Sequence, residues 1–263
     1  MATDISLIIP YRGDTQAVLT CVRSATVHSI FDSSIEAVIV GTDLPERMHV
    51  PDSQCRIKLI RQIEPVGIPA AYAAGMEVAS GTFVCLCTDD VLFPKYWDGD
   101  VRFMYQGLSK LLGRDGFLCI PCVDSTQVQL PEKPPTPDTW WSMADNHRPE
   151  HMSAGARLPW FTRREYLKQL PSWDSSFGLT VWTWDVYEQV LRHGGWLYEG
   201  STAPVFRWTR IVETDNDQAA FYREEDDKRR FAEKYPVSKW VMLNYTMCGG
   251  MLVCTLPSLM SPW

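Results

Sequence analysis

The 263-residue chain has no uninterrupted apolar run of about 18 residues, the length a helix needs to cross a bilayer, so no membrane span is expected. It shows no basic-then-apolar leader either. Met1-Ala-Thr-Asp-Ile5 leads straight into strand-like sequence, and a cytoplasmic location is the expectation. A surplus of positive charge is also missing. Lys and Arg number 25 against 32 Asp and Glu, giving a net charge of −7 and a pI near 5.3. That excludes a general electrostatic grip on nucleic acid, which needs cations against phosphate. Local basic patches remain at Arg163-Arg164 and Lys228-Arg229-Arg230. The eight cysteines lack the spacing of a disulfide framework, and free thiols in a reducing compartment follow. Cys85-x-Cys87 and Cys119-x-x-Cys122 would hold zinc only if two strands set them side by side. Burial as small apolar side chains is the plainer reading. Internal repeats are absent.

Hydrophobic residues make up 45% of the chain, enough for one large domain or a domain with an appendage. The first 123 residues alternate strand and helix. Short apolar runs at 5–10, 36–40, 56–61, 83–87 and 117–123 read as strands. Segments 15–28, 68–79 and 95–112 read as helices. This rhythm predicts a mostly parallel, doubly wound α/β sheet. Residues 124–155 break it with Pro131, Pro134, Pro135, Pro137 and Pro149, and carry Trp140, Trp141, His147 and His151. A loop of that length is a functional lid or disordered. A strand at 157–161 and helices at 163–169 and 183–193 resume the fold. Residues 212–235 read as a solvated helix laced with ion pairs. The tail at 247–263 is apolar but broken by Gly and Pro; it would pack on the domain, on a subunit partner in a homo-oligomer, or on a membrane surface.

The most informative stretch is Gly81-Thr-Phe-Val-Cys-Leu-Cys-Thr-Asp-Asp-Val-Leu-Phe-Pro94. Its run of residues fit for burial ends in two adjacent carboxylates, Asp89 and Asp90. An apolar strand of this kind is covered on both faces, and ligands of open α/β sheets bind just beyond such strands' carboxyl ends. Two hard carboxylates there suit Mg²⁺ or Mn²⁺ shared with a diphosphate. The competing reading makes Asp89 and Asp90 caps of the next helix, with Pro94 near its first turn.

Several segments resemble family-2 glycosyltransferases of the GT-A fold. Ser6-Leu-Ile-Ile-Pro-Tyr-Arg12 is similar to that family's opening strand. Gly67-Ile-Pro-Ala-Ala-Tyr-Ala-Ala-Gly75 keeps the spacing of its Gly-x-Ser-x-Ala-Arg-Asn-x-Gly. Ala79 to Pro94 looks like the acidic strand motif. Trp173-Asp174-Ser-Ser-Phe177, Trp182-Thr-Trp-Asp185 and Arg192-His-Gly-Gly195 follow in the family's order. The resemblance spans about residues 4 to 235. It implies a single GT-A-like, Rossmann-like domain with a C-terminal helical and apolar extension. Residues 1–123 would form the nucleotide-sugar-binding half, 124–210 the acceptor and catalytic half, and 211–263 the extension. Departures are plain. Cys87 stands where the first Asp of Asp-x-Asp is usual, Tyr72-Ala73 replaces Arg-Asn, Gly41-Thr-Asp43 replaces Asp-Asp-Gly, and Trp184 replaces Glu. A metal-binding His, common in the family near Pro204 to Trp208, is missing.

The resemblance implies a metal-dependent, inverting hexosyl- or pentosyltransferase that uses a nucleotide-sugar, a UDP-sugar foremost. Asp89 and Asp90 would hold Mn²⁺ or Mg²⁺, and Asp185 would be the general base, its basicity raised by apolar neighbours. The alternative for Asp185 is a helix-start carboxylate favoured by the dipole. Pro10, Tyr11, Arg12, Asp43, Gly67, Tyr72, Thr88, Asp89 and Arg207 would border the donor, and Trp140, Trp141, His147, Trp182 and Trp184 the acceptor. That acceptor would be a glycan, a lipid-linked glycan or a hydroxylated nucleic-acid base of the phage type. Two other classes stay open. A nucleotidyltransferase shares the sheet and carboxylates, but Pro10-Tyr-Arg-Gly-Asp14 is a poor phosphate loop. A non-catalytic sugar- or nucleotide-binding module would explain the lost motif residues.

Overall fold

The structure, a computed structural model, describes residues 3–30, 34–50, 53, 55–64, 67–124, 158–200, 205–207, 217–236, 247–248 and 251–254. The expected loop at 124–155, apart from its first residue, lies outside them, as do Trp140, Trp141, His147 and His151.

The chain opens with β1 (Ile5–Pro10), α1 (Thr15–Val27), β2 (Ile35–Gly41) and β3 (Arg56–Arg61). Then come α2 (Gly67–Val78), β4 (Phe83–Leu86), β5 (Val91–Leu92) and α3 (Trp97–Leu112). The strands β6 (Gly116–Cys119), β7 (Cys122–Asp124) and β8 (Trp160–Arg163) precede the short α4 (Arg164–Leu167) and the longer α5 (Leu179–Arg192). The last elements are β9 (Trp196–Glu199), β10 (Val205–Arg207), α6 (Asp217–Lys234), β11 (Met247–Cys248) and β12 (Met251–Cys254). A nine-stranded sheet has the order β11-β12-β9-β6-β8-β4-β1-β2-β3, and a three-stranded one the order β5-β10-β7. The larger sheet draws strands from all three sequence segments expected at 1–123, 124–210 and 211–263.

Strands β4, β1, β2 and β3 run parallel, as do β6 and β9. The sheet is mixed because β8 lies antiparallel between β4 and β6. The unbroken apolar runs are explained by two covered faces. Ile5, Leu7, Ile9 and Cys85 face a core shared with Val18 and Val22 of α1 and Val101 and Tyr105 of α3. Ile8, Val84 and Leu86 face a second core with Tyr72 of α2 and Trp182 and Val186 of α5. In that second core, Tyr72, Trp182 and Trp160 form one stacked column, with ring centroids 5.4 and 5.3 Å apart.

The single strand expected at 117–123 is corrected. Pro121 has no amide N–H to give a ladder, and the segment divides into β6 in the large sheet and β7 in the small one. Cys119 and Cys122 therefore lie on different strands, and no metal-holding group of three or more His, Cys, Asp or Glu occurs among the described residues.

Candidate active site

Parallel pairing puts the carboxyl ends of β1, β2 and β4 on one edge of the sheet. The backbone carries this order past the strands. Tyr11 N donates to Val40 O at 2.7 Å, and Cys87 N donates to Ile8 O at 3.1 Å. Segments 10–12, 41–43 and 88–90 thus leave the sheet together.

The structure decides the capping question for the acidic pair. Asp89 and Asp90 are followed by β5, and the next helix starts only at Trp97 with Tyr96 as its cap residue. They are not its caps. Both turn to Arg12 instead. Arg12 Nε donates to Asp89 Oδ1 at 2.7 Å, and a terminal guanidinium nitrogen reaches the same oxygen. That terminal nitrogen also lies 3.2 Å from Asp90 Oδ2. Asp90 Oδ1 accepts the Thr88 hydroxyl. Asp89 is 4% exposed and Asp90 15%, while the Arg12 side chain is 44% exposed. Burial pushes the Asp89 carboxyl above its ordinary range, and Arg12 only partly opposes this. For Arg12, burial alone would lower the pKa. The bond to Asp89 and the charge of Asp90 outweigh it and hold the guanidinium more firmly protonated.

The other expected donor residues divide. Tyr11 is half-buried with its hydroxyl 3.0 Å from Thr15 Oγ1, and Pro10 is buried at the end of β1. Asp43 is exposed and accepts from Thr42 Oγ1 at 3.1 Å. Gly67 opens α2 at φ 75, a conformation that favours glycine, and a Cβ there would meet only Pro69 Cδ, at 3.9 Å. Arg207 enters through its backbone: β10 pairs it with Val91, the residue after Asp90. Tyr72 lies in the core. It is fully buried, and its hydroxyl donates to Cys87 O at 2.9 Å. Trp182 is likewise fully buried, in the aromatic column between Tyr72 and Trp160. Trp184 is half-buried, its ring edge-on to Phe231 at 5.9 Å.

The donor chemistry of the edge fits a divalent cation in one form only. Cys87 supplies no ligand there: it is fully buried, and burial drives its thiol well above the usual range. Two hard carboxylates remain. Mg²⁺ is commonly held by one or two carboxylates with phosphate oxygens and water completing the shell. Asp89 and Asp90 match that pattern if a diphosphate arrives with the ion and Arg12 yields its bonds.

Asp185 has a different setting from the one expected. It lies well inside α5, not at its start, and it is fully buried. Its surroundings are polar at the carboxylate. Gln189 Nε2 donates to Oδ2 at 2.8 Å, while Tyr235 Oη and Lys234 Nζ each lie 2.8 Å from Oδ1. A buried carboxylate needs such partners. Gln189 was readable as its i+4 helix neighbour. Lys234 and Tyr235 were not, because they sit about fifty positions away, at the end of α6.

No protein-family model and no curated protein sequence matches the chain. Solved structures do. The chain is similar to S. aureus TarS 1-349 at 14% identity and a TM-score of 0.51, covering 90% of this chain and 66% of that one. It is similar to the same protein in complex with UDP-GlcNAc, with a TM-score of 0.57, 14% identity, and 90% and 68% of the two chains covered. The complex with UDP gives a TM-score of 0.51 at 12% identity, covering 91% and 74%. The fold is GT-A-like. The chain spans about two thirds of the length of the first of these structures. Among the described residues, no helix is long and apolar enough to cross a membrane.

Proposed function

We propose that the chain is a glycosyltransferase that takes a sugar from a nucleotide-sugar, a UDP-sugar foremost, and passes it to an acceptor hydroxyl with inversion. One observation carries this reading: Arg12, Asp89 and Asp90 meet at the carboxyl edge of the sheet, in a fold shared with structures that hold UDP-GlcNAc and UDP. The diphosphate would sit at this cluster, with Thr88 fixing Asp90 and Tyr11 and Asp43 bordering the nucleoside. A divalent cation, Mn²⁺ or Mg²⁺, would be held by Asp89 and Asp90, and when bound it offsets the charge that builds on the leaving diphosphate.

In the transfer, the acceptor oxygen attacks the anomeric carbon as the bond to the diphosphate breaks, and a carboxylate takes the acceptor proton. Asp185 is proposed for that proton. In the arrangement described, Lys234 and Tyr235 occupy its oxygen, so the role requires α6 to withdraw. Until then Asp185 ties α5 to α6.

The test is a thermal-shift panel of UDP-, GDP-, dTDP- and CMP-sugars, with and without Mn²⁺. A nucleotide at 100 times its dissociation constant stabilises by about 2.7 kcal/mol. A shift with one nucleotide class, lost in Asp89→Ala, supports the reading. No shift with any of them, in a folded wild type, overturns it.

A further inference from the structure

We propose that Arg12 is a built-in counter-cation of the acidic pair, competing with a divalent metal for Asp89 and Asp90 and turning to the diphosphate once displaced. This deepens the donor-site reading above and rests on it. The geometry is specific. One guanidinium touches Asp89 Oδ1 through Nε at 2.7 Å and comes within 3.2 Å of Asp90 Oδ2. It thereby bridges two adjacent carboxylates, as a bound divalent ion would. A guanidinium is the side chain suited to this double duty, because its planar fork pairs equally well with carboxylate and with phosphate.

Charge gives the direction of the exchange. Two ionised carboxylates against one guanidinium leave the cluster with one formal negative charge, which repels a diphosphate. With a divalent cation between the carboxylates and Arg12 released, the same groups carry one formal positive charge. Displacement therefore changes the sign of the site. The partners differ in freedom as well. Asp89 and Asp90 are nearly buried, whereas Arg12 is 44% exposed and stands beside Gly13, whose φ of 91 and open surroundings leave the backbone unhindered. Arg12 is the member able to leave.

The experiment titrates Mn²⁺ alone into the full chain, following free Mn²⁺ by electron paramagnetic resonance, in wild type, Arg12→Gln, Arg12→Lys and Asp89→Asn. Arg12→Gln should bind Mn²⁺ about tenfold tighter than wild type, since its internal competitor is gone. With Mn²⁺ saturating, the same variant should bind UDP about tenfold more weakly, since a phosphate partner is gone. Arg12→Lys should fall between, and Asp89→Asn should lose the Mn²⁺ site. Equal or weaker Mn²⁺ binding by Arg12→Gln, or none by either protein, overturns the proposal. The near-ultraviolet circular dichroism of each variant establishes that it is folded. If wild type binds Mn²⁺ but no nucleotide, the donor-site reading fails while the metal titration still decides the competition.

Discussion

Lys234 sets its ammonium 2.8 Å from Asp185 Oδ1 and 3.2 Å from Asp174 Oδ2, so one cation at the end of α6 holds the carboxylates of two separate segments. Burial alone would lower the lysine pKa, but the bonds to Asp185 and Asp174 raise it overall. Removing one member of a buried pair costs about 3–5 kcal/mol. Lys234 is 36% exposed, and screening by solvent reduces the expected loss for Lys234→Met to about 1–2 kcal/mol. Urea unfolding of the two proteins measures it. A change under a few tenths of a kcal/mol would mean that α6 is held by something else.

Asp89 should trade stability against binding. Its carboxyl is raised by burial beyond what Arg12 offsets, so holding the charge costs the folded state more than the unfolded chain. An asparagine removes that penalty and keeps the shape. Asp89→Asn is therefore expected to melt at or above the wild-type temperature while losing nucleotide binding. A clear drop in melting temperature would show that the Arg12 pair is a net stabiliser of the fold.

Glu36 should make the fold sensitive to acid. It is buried in β2 and accepts from Ser6 Oγ at 2.6 Å and Ser80 N at 2.6 Å, with Lys58 Nζ at 2.9 Å. Burial works to raise its pKa, yet these partners lower it below the ordinary value. A lowered folded pKa contributes stability above the unfolded value, near about 4.3, that is lost as pH falls through the folded one. Glu36→Gln should cost about 1–3 kcal/mol at pH 7, and much less at pH 3. Melting curves across that range check the sign. A cost that does not shrink in acid would assign the effect to packing.

Gly81 lies where no side chain fits. A Cβ there would meet Ser6 N at 2.6 Å and Ile5 C at 2.8 Å, backbone atoms that cannot rotate away. Gly81→Ala should destabilise by about 3 kcal/mol, the upper end for overpacking. Guanidinium unfolding decides it, and a loss below about 0.5 kcal/mol would show that β1 can shift.

Tyr72→Phe separates core from donor contact. The phenol donates to the buried carbonyl of Cys87, so its loss should cost about 1–2 kcal/mol of stability. Nucleotide affinity should stay within about threefold, under the 1.4 kcal/mol that a tenfold change represents. A tenfold weaker affinity would return Tyr72 to the donor site.

In the parallel half of the sheet, β1, β2 and β4 were legible because each is buried on both faces and advertises itself as an apolar run, while β3, at the sheet edge, is only partly buried and showed itself by alternation in Arg56-Ile-Lys-Leu-Ile-Arg61. The run at 83–87, ending in Asp89-Asp90, located the candidate site for the same reason. The antiparallel place of β8 was not legible, since Trp160-Phe-Thr-Arg163 reads the same in either direction and pairing depends on partners far along the chain. Arg12 and Asp89 were each singled out, but not their contact, which spans 77 positions. Asp185 was singled out through the motif resemblance of Trp182-Thr-Trp-Asp185, and the apolar setting expected around it was not found at the carboxylate: Trp182 packs into the core, and the carboxylate turns to α6. Pattern within a helix reveals its own neighbours, such as Gln189, but not what another helix brings.

The column of Tyr72, Trp182 and Trp160 has an optical consequence. Indole rings stacked this closely share their electronic transitions, and their near-ultraviolet circular dichroism depends on mutual angle and spacing. One end of the column is tied by the Tyr72 hydroxyl to the carbonyl just before Thr88, next to the acidic pair. The molecule thus carries an unlabelled chromophore beside its candidate donor edge, one that reports displacement of Thr88-Asp89 as a change in band shape.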